Sequence, residues 1–315
     1  MSVHVRGNFA DTLDPRFREI IADEIAQQRD QDMLPVLWNS TPPTTPFRDI
    51  ERYSEVSGLP QAGQFTGSID YAQFYQGYDV QATYVEFAQG IQIERLLLEY
   101  DQKNIIEDRP RALADSMWRR RQFDALRFLR NATSVDTFFY NNSEAVALAS
   151  NSHTTTTGAS TAAGYDNLST AALSAVNLTA ANIQMRGFRD LQAEPINVAG
   201  DTLIVPIDLY ETAFEIISSM GKVDVATNNR NVHYGAMKIV ILPNKKDFPD
   251  TNDWAIEDSS AARRWRLWFD QVWPGGQPEF GMAEEFDTFT AKYRGYGRWT
   301  NIIRNWRHLL YASVS

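Results

Sequence analysis

Cysteine is absent from the 315-residue chain, which excludes disulfides, thiolate zinc sites, iron–sulfur clusters and cysteine nucleophiles at once. Histidine is scarce. The four, at positions 4, 153, 233 and 308, form neither an i, i+4 pair nor an HExxH pattern, so no metal and no cofactor are expected. Long apolar runs are also missing: Leu203-Ile204-Val205 and Ile239-Val240-Ile241-Leu242 fall far short of the roughly 20 residues that a spanning helix needs. Met1 to Asp14 mixes His4, Arg6, Asn8 and Asp11 among its apolar residues, so no secretion signal is expected. The Asn-x-Ser/Thr triplets starting at Asn131, Asn141, Asn167 and Asn177 are then read as chance. Basic charge is in deficit: 30 Lys and Arg against 40 Asp and Glu leave a net −10, which argues against wholesale adhesion to nucleic acid or an anionic membrane.

What is present is ordinary globular material, 43% hydrophobic and 22% charged, long enough for two domains or one large irregular one. Asp14-Pro15 reads as a capped helix start, with Phe17, Ile20, Ile21 and Ile25 at helical spacing to about Arg29. Pro35, Pro42, Pro43 and Pro46 follow and predict an extended arm. From Tyr53 to Ile93 aromatic and β-branched residues are punctuated by glycine. Tyr78, Val80, Ala82 and Tyr84 alternate with Asp79, Gln81, Thr83 and Val85, a strand pattern, and Gly77 is expected to turn this strand back on one holding Ile69, Tyr71 and Gln73. An exposed aromatic hairpin of this kind implies a partner that covers it.

Residues 109–131 lack glycine and place Pro110 where a first turn tolerates it, predicting one long helix. Leu113, Met117, Trp118, Ala125, Phe128 and Leu129 form a broad apolar face. Ser116, Arg119, Arg120, Arg127 and Arg130 fall opposite, and seven Arg against Asp115 and Asp124 give the segment +5. Charge is segregated. Beyond a Thr/Ser-rich connection around His153, residues 169–189 recover helical spacing. Thr202 to Ile207 reads as a buried strand, with Asp208 capping a helix over 209–220, and 237–242 as another strand. A tryptophan-rich tail from Ala261 carries two strand-like stretches, 286–296 and 306–314.

The search for chemistry is thin. His153 among hydroxyls is a solvated loop histidine rather than a base, because no G-x-S-x-G elbow accompanies it. Gly295-Tyr296-Gly297 lacks a dinucleotide fingerprint and Gly221-Lys222 a phosphate loop. The neighbours Glu284-Glu285 and Glu257-Asp258 read as solvated charge. No catalytic residue is assigned, and the chain is expected not to be an enzyme.

Specific stretches, in order, carry a resemblance. They are Gly58-Leu59-Pro60; Gly77-Tyr78-Asp79-Val80-Gln81-Ala82-Thr83-Tyr84; Glu86-Phe87-Ala88-Gln89-Gly90-Ile91-Gln92-Ile93-Glu94-Arg95; Ser152-His153-Thr154; Leu168-Ser169 with Leu173; and Asp201 to Pro206 followed by a helix. In that order they resemble the major capsid proteins of tailed bacteriophages, which have the Hong Kong ninety-seven fold, over nearly the whole chain.

The resemblance implies an α+β fold with an N-terminal arm (1–52), an extended β-hairpin loop (53–93), and a peripheral domain (94–167) with its spine helix (109–131). An axial domain (168–280) follows, and then a return to the peripheral domain (281–315). It implies a structural subunit that self-assembles through pentamers and hexamers into an icosahedral head enclosing double-stranded DNA. Portal, scaffold and decoration proteins are its implied partners, and the virion, assembled in host cytoplasm, its implied place. The chain begins near the arm helix, so a separate scaffold, or none, is expected. No Lys lies between Tyr53 and Gln102, so the isopeptide crosslink of some members is not expected. An encapsulin-like compartment is the alternative within the fold, and a hydrolase using His153 the rival outside it.

The expected subunit-interface residues are Trp38, Phe47, Asp70, Phe74, Tyr75, Tyr78, Asp79, Arg119, Arg120, Arg127 and Arg130. Residues 53–94 carry −5 with no base. They would meet the basic spine helix, or else the arginines would face DNA.

Overall fold

The computed structural model describes residues 19, 20, 23, 24, 27, 32–41, 48–69, 71–94, 108–221, 230–242, 247–272, 278–285 and 290–314. In chain order its elements are α1 (Leu34–Leu37), β1 (Asn39–Thr41), β2 (Ile50–Val56), β3 (Gln76–Thr83), β4 (Val85–Glu94), α2 (Asp108–Ala125), α3 (Arg127–Arg130), β5 (Tyr140–Asn142), β6 (Leu168–Ser169) and α4 (Ala175–Arg186). There follow β7 (Thr202–Val205), α5 (Tyr210–Ser218), β8 (Lys238–Ile241), β9 (Trp254–Glu257), α6 (Ser259–Trp265), β10 (Arg266–Val272), β11 (Glu279–Glu285), β12 (Thr290–Ile303) and β13 (Leu309–Ala312). The class is α+β, as expected.

Three sheets organise the chain. The first is built on β12, whose first half lies between β11 and β4 and whose second half pairs with β10; β1 adds in parallel outside β10. Helix α2 packs on this sheet. Gly295 lets it approach, since a Cβ there would sit 3.1 Å from Met117 Cγ. The second sheet runs β6-β13-β9-β7-β8, with all of β7, β9 and β13 buried. Leu178, Ala181 and Met185 of α4 and Ala213, Ile216 and Ile217 of α5 belong to its core. The third, β2-β3-β5, packs Val80, Ala82 and Tyr84 with Leu267, Phe269 and Ile302. The period-two face read from sequence is therefore a core face. Trp254, Trp268 and Trp299 are fully buried, and burial of side chains this large contributes about 4–6 kcal/mol each as an upper estimate.

Several expectations are corrected. The arm is not extended throughout: Pro35 sits in the first turn of α1, where its missing N–H breaks no bond. Trp38 packs edge-on to Phe128 and Trp268, and its Nε1 donates to the Ala125 carbonyl at 2.7 Å. Trp38 is a core residue, 3% exposed, with no surface left for a neighbour.

Gly77 is no hairpin turn, because β3 pairs with β2 and residues 57–75 connect them. Its role is close approach: a Cβ there would meet Leu191 Cδ1 at 2.5 Å and Glu55 Cβ at 2.9 Å. The long helix breaks at Leu126, whose φ −94°, ψ 2° is not helical. The helix expected from Ser169 starts at Ala175, since Ser174 Oγ caps the Asn177 N–H at 3.2 Å. Asp208 lies in a 3₁₀ turn, and the N-cap position of α5 is Leu209 rather than Asp208.

The expected boundary at 280/281 also moves. β10 and β11 belong to the β12 sheet, whereas β13 belongs to the β6-β13-β9-β7-β8 sheet. Of the helix expected at 14–29, Glu19, Ile20, Asp23, Glu24 and Gln27 are helical; the rest of it, with Phe47, Asp70 and part of the Pro-rich stretch, lies outside the described residues.

Candidate assembly surfaces

Residues 57–75 leave the β2–β3 ladder and carry side chains that none of the described residues covers: Tyr71 is 89% exposed, Phe65 71% and Phe74 65%, with Leu59, Ile69 and Tyr75 also exposed. Large apolar side chains gathered in this number on one exposed loop point to an interaction surface. The neck of this loop is fixed. Ser57 N–H donates to the Tyr75 carbonyl at 2.9 Å and Tyr75 N–H to Ser57 Oγ at 3.0 Å. Gln192 Nε2 reaches Ser57 Oγ and the Gly58 carbonyl, both at 2.9 Å, and Asp190 Oδ2 accepts from Gly58 N–H at 3.2 Å. On the other strand Tyr78 Oη lies 2.6 Å from Thr154 Oγ1, and Thr156 Oγ1 donates to the Gln76 carbonyl at 2.9 Å. These clamp residues escaped the sequence reading because they stand 76–135 positions from their partners and carry no local signature.

The arginine stripe takes a different form from the open platform expected of it. Arg127 makes a bidentate pair with Asp136 at 2.5 and 2.9 Å and lies 4.5 Å over the Phe138 ring. Arg130 stacks 3.6 Å from the Phe123 centroid and reaches Asp247 at 3.3 Å. Arg121 is buried between Asp270 at 2.7 Å and Asp32 at 3.6 Å. Arg120 holds Asp124 at 3.0 Å and covers Phe87. Burial pushes the Asp124 carboxyl up to about 6 against the pull of Arg120 and the Trp299 hydrogen bond. Only Arg119 of the four proposed arginines has its side chain mostly in solvent, 70% exposed, beside Asp115. Arg120, Arg127 and Arg130 are therefore structural: planar guanidinium groups that satisfy their own subunit's acids and rings.

The acidic side is likewise engaged. Glu55 accepts from Arg307 Nη1 at 2.8 Å and Asn305 Nδ2 at 2.7 Å, and its burial raises its carboxyl pKa in spite of that cation. Asp79 is held below the ordinary carboxylate range by hydrogen bonds from Ser54 and Gln76.

This contrast predicts a stability difference. Arg120→Glu should destabilise the unassembled subunit by roughly 2–4 kcal/mol, because Asp124 is left buried beside a second acid while the Arg120 site is itself partly solvated. Arg119→Glu should change it by less than about 0.5 kcal/mol. Urea unfolding of both variants checks this; equal losses would return the two to a common role.

His153 is not the solvated residue expected. It is buried, stacks on Trp306 with centroids 4.1 Å apart and planes 7° apart, and faces Glu144 Oε1 at 3.1 Å. Its neighbouring cavity of about 50 Å³ has room for a few waters. Among the described residues no group of three His, Asp or Glu could hold a metal ion, and no helix is long and apolar enough to cross a membrane.

Comparison with known proteins decides what these surfaces belong to. A family model described as phage capsid protein matches residues 77–312. The chain belongs to the phage capsid protein family. No curated protein matches it. Among solved structures, the capsid of a native GTA particle aligns at TM-score 0.54 and 11% identity over 90% of this chain and 89% of that one. A structure of Microbacterium phage Oxtober96 gives 0.53 and 9% over 89% and 90%, and one of Mycobacterium phage Adephagia 0.52 and 11% over 89% of each. At these identities the likeness shows the fold. Family and fold together make the chain a major capsid protein, a structural subunit of a phage capsid. In this capsid subunit the clamped neck and exposed loop, rather than any titratable cluster, are the features that its own fold leaves unexplained.

Proposed function

We propose that the subunit assembles with copies of itself into a closed icosahedral head that encloses double-stranded DNA, and that residues 57–75 are the arm with which one subunit overlaps the next. The β12 sheet with α2 serves as the peripheral domain and the β6-β13-β9-β7-β8 sheet as the axial domain. The observation that carries this reading is the uncovered aromatic loop on a hydrogen-bonded neck. The clamp sets the direction of the loop, and burial of its rings on a neighbour supplies the affinity. Electrostatics contributes less than a basic platform would, since the stripe is consumed within the subunit. Contact through Tyr71, Phe74 and Tyr75 explains the loop better than contact through Asp79 or the paired arginines.

Replacing Phe65, Tyr71 and Phe74 by serine should leave the subunit's unfolding midpoint unchanged and abolish particles. Electron microscopy of the expressed chain is the readout: large DNA-filled shells support the proposal, small protein-filled shells would favour a cellular compartment, and a catalytically active monomer would overturn it. Denatured particles should run as one 35.8 kDa band, because residues 53–94 hold no lysine to form an isopeptide. A ladder would refute this.

A further inference from the structure

Helix α4 is apolar on two sides. Leu178, Ala181 and Met185 point into the core, while Val176 and Ile183, 73% and 66% exposed, and exposed Ala180 form a second stripe at i, i+4, i+7. A helix that is hydrophobic on opposite sides is covered on both in its working state. Across the same sheet, the outer flank of α5 and the edge strand β8 bound an apolar groove of about 550 Å³, lined by Tyr210, Phe214, Tyr234, Met237, Ile239 and Ile241 among others, none charged. Phe214 is half exposed there, its ring 6.0 Å from that of Tyr210.

Charge flanks the two surfaces in opposite senses. α4 has Arg186 in its last turn and no acid, whereas α5 carries exposed Glu211 and Glu215 and no base.

We propose that the Val176–Ala180–Ile183 stripe of one subunit packs into the α5–β8 groove of a second copy, with Arg186 set against Glu211 and Glu215. This rests on the capsid reading and names a contact separate from the 57–75 loop. The fit is that of an amphipathic helix in a groove, where apolar anchors one and two turns apart give affinity and flanking charges give register. A second copy is the occupant because each subunit carries both halves of the match, in apolarity and in charge.

The absence of cysteine makes the test direct. Ile183→Cys combined with Phe214→Cys, oxidised within assembled particles, should give disulfide-linked oligomers on a non-reducing gel, and neither single variant should. Separately, Arg186→Glu should lower particle yield at least about tenfold, the effect of setting a like charge against Glu211 and Glu215. Adding Glu211→Arg and Glu215→Arg should restore most of it. If particles form and the double-cysteine chain stays monomeric on the gel, the groove takes some other occupant and the proposal is wrong. If the unaltered chain forms no particles, the self-assembly proposed above fails, a distinct outcome.

Discussion

Trp38→Ala should cost the unassembled subunit about 3–5 kcal/mol, the range for truncating a fully packed tryptophan. The indole does three things at once: it fills the junction of α1, α3 and β10, makes edge contacts with Phe128 and Trp268, and satisfies the Ala125 carbonyl at the break after α2. Arg266, wholly buried, lies against both the Trp38 and Phe128 rings while its Nε donates to the Leu37 carbonyl at 2.5 Å. Loss of the ring therefore also loosens a buried cation that is paired with Glu257. Trp38→Phe, which keeps most of the packing and loses the N–H donor, should cost less, about 1–2 kcal/mol.

The consequence for truncation differs from what the Pro-rich sequence suggests. Removing residues 1–39 takes Leu34, Leu37 and Trp38 out of the core and should prevent folding, whereas a cut before Asp32 tests the arm alone. Circular dichroism and urea unfolding of both truncations check this; a stably folded 40–315 chain would contradict it.

His308 governs a second expected result. It is fully buried, its Nδ1–H donates to the Asn305 carbonyl at 2.8 Å, and burial together with nearby Arg266 pushes its pKa down from the ordinary 6.5 to about 3. The native state keeps the ring neutral, while the unfolded chain protonates it below pH 6.5. The stability it contributes is thus present above pH 6.5 and falls by about 1.4 kcal/mol per pH unit below that, until the pH approaches 3.

Asp124 has the opposite sign. With its carboxyl raised to about 6, its contribution grows as pH falls from 6 toward 4 and is lost as pH rises through 6. The His308 effect is isolated by difference. His308→Asn should be less stable than the parent at pH 7.5, and the gap should narrow progressively by pH 4.5. Urea midpoints at pH 7.5, 5.5 and 4.5 measure it, and a gap independent of pH would mean that the ring titrates normally.

Local periodicity carried more of the fold than charge did. The alternation Tyr78, Val80, Ala82, Tyr84 located β3 because a strand's side-chain pattern is a property of neighbours in sequence, though it read as an exposed hairpin where Val80, Ala82 and Tyr84 in fact face the core. The apolar face of residues 113–125 located α2 in the same way. Pairing was not legible in this way. Gly77 looked like a turn because glycine serves both tight turns and close approaches, and only the contact with Leu191 distinguishes them. The arginines looked like a platform because their acids, Asp136, Asp247 and Asp270, lie 9, 117 and 149 residues away. Ile69, Tyr71 and Gln73 read as a hairpin strand, yet no described residue of 57–75 is in a strand; the exposure of the aromatic side chains is what still implies a partner. The clamp that aims the loop is long-range and could not be read.

The interleaving of the two larger sheets bears on the order of synthesis. The polypeptide passes from β9 in one sheet to β10 in the other and back again from β12 to β13, and β13 is inserted between β6 and β9 with every residue buried. The first sheet is complete only once β12 has left the ribosome, and the second only once β13 has. A nascent or prematurely terminated chain would thus display the exposed aromatic side chains of residues 57–75 on an unfinished body. Such fragments should be recognised as unfolded and degraded, because the β6-β13-β9-β7-β8 sheet lacks a central strand until β13 arrives.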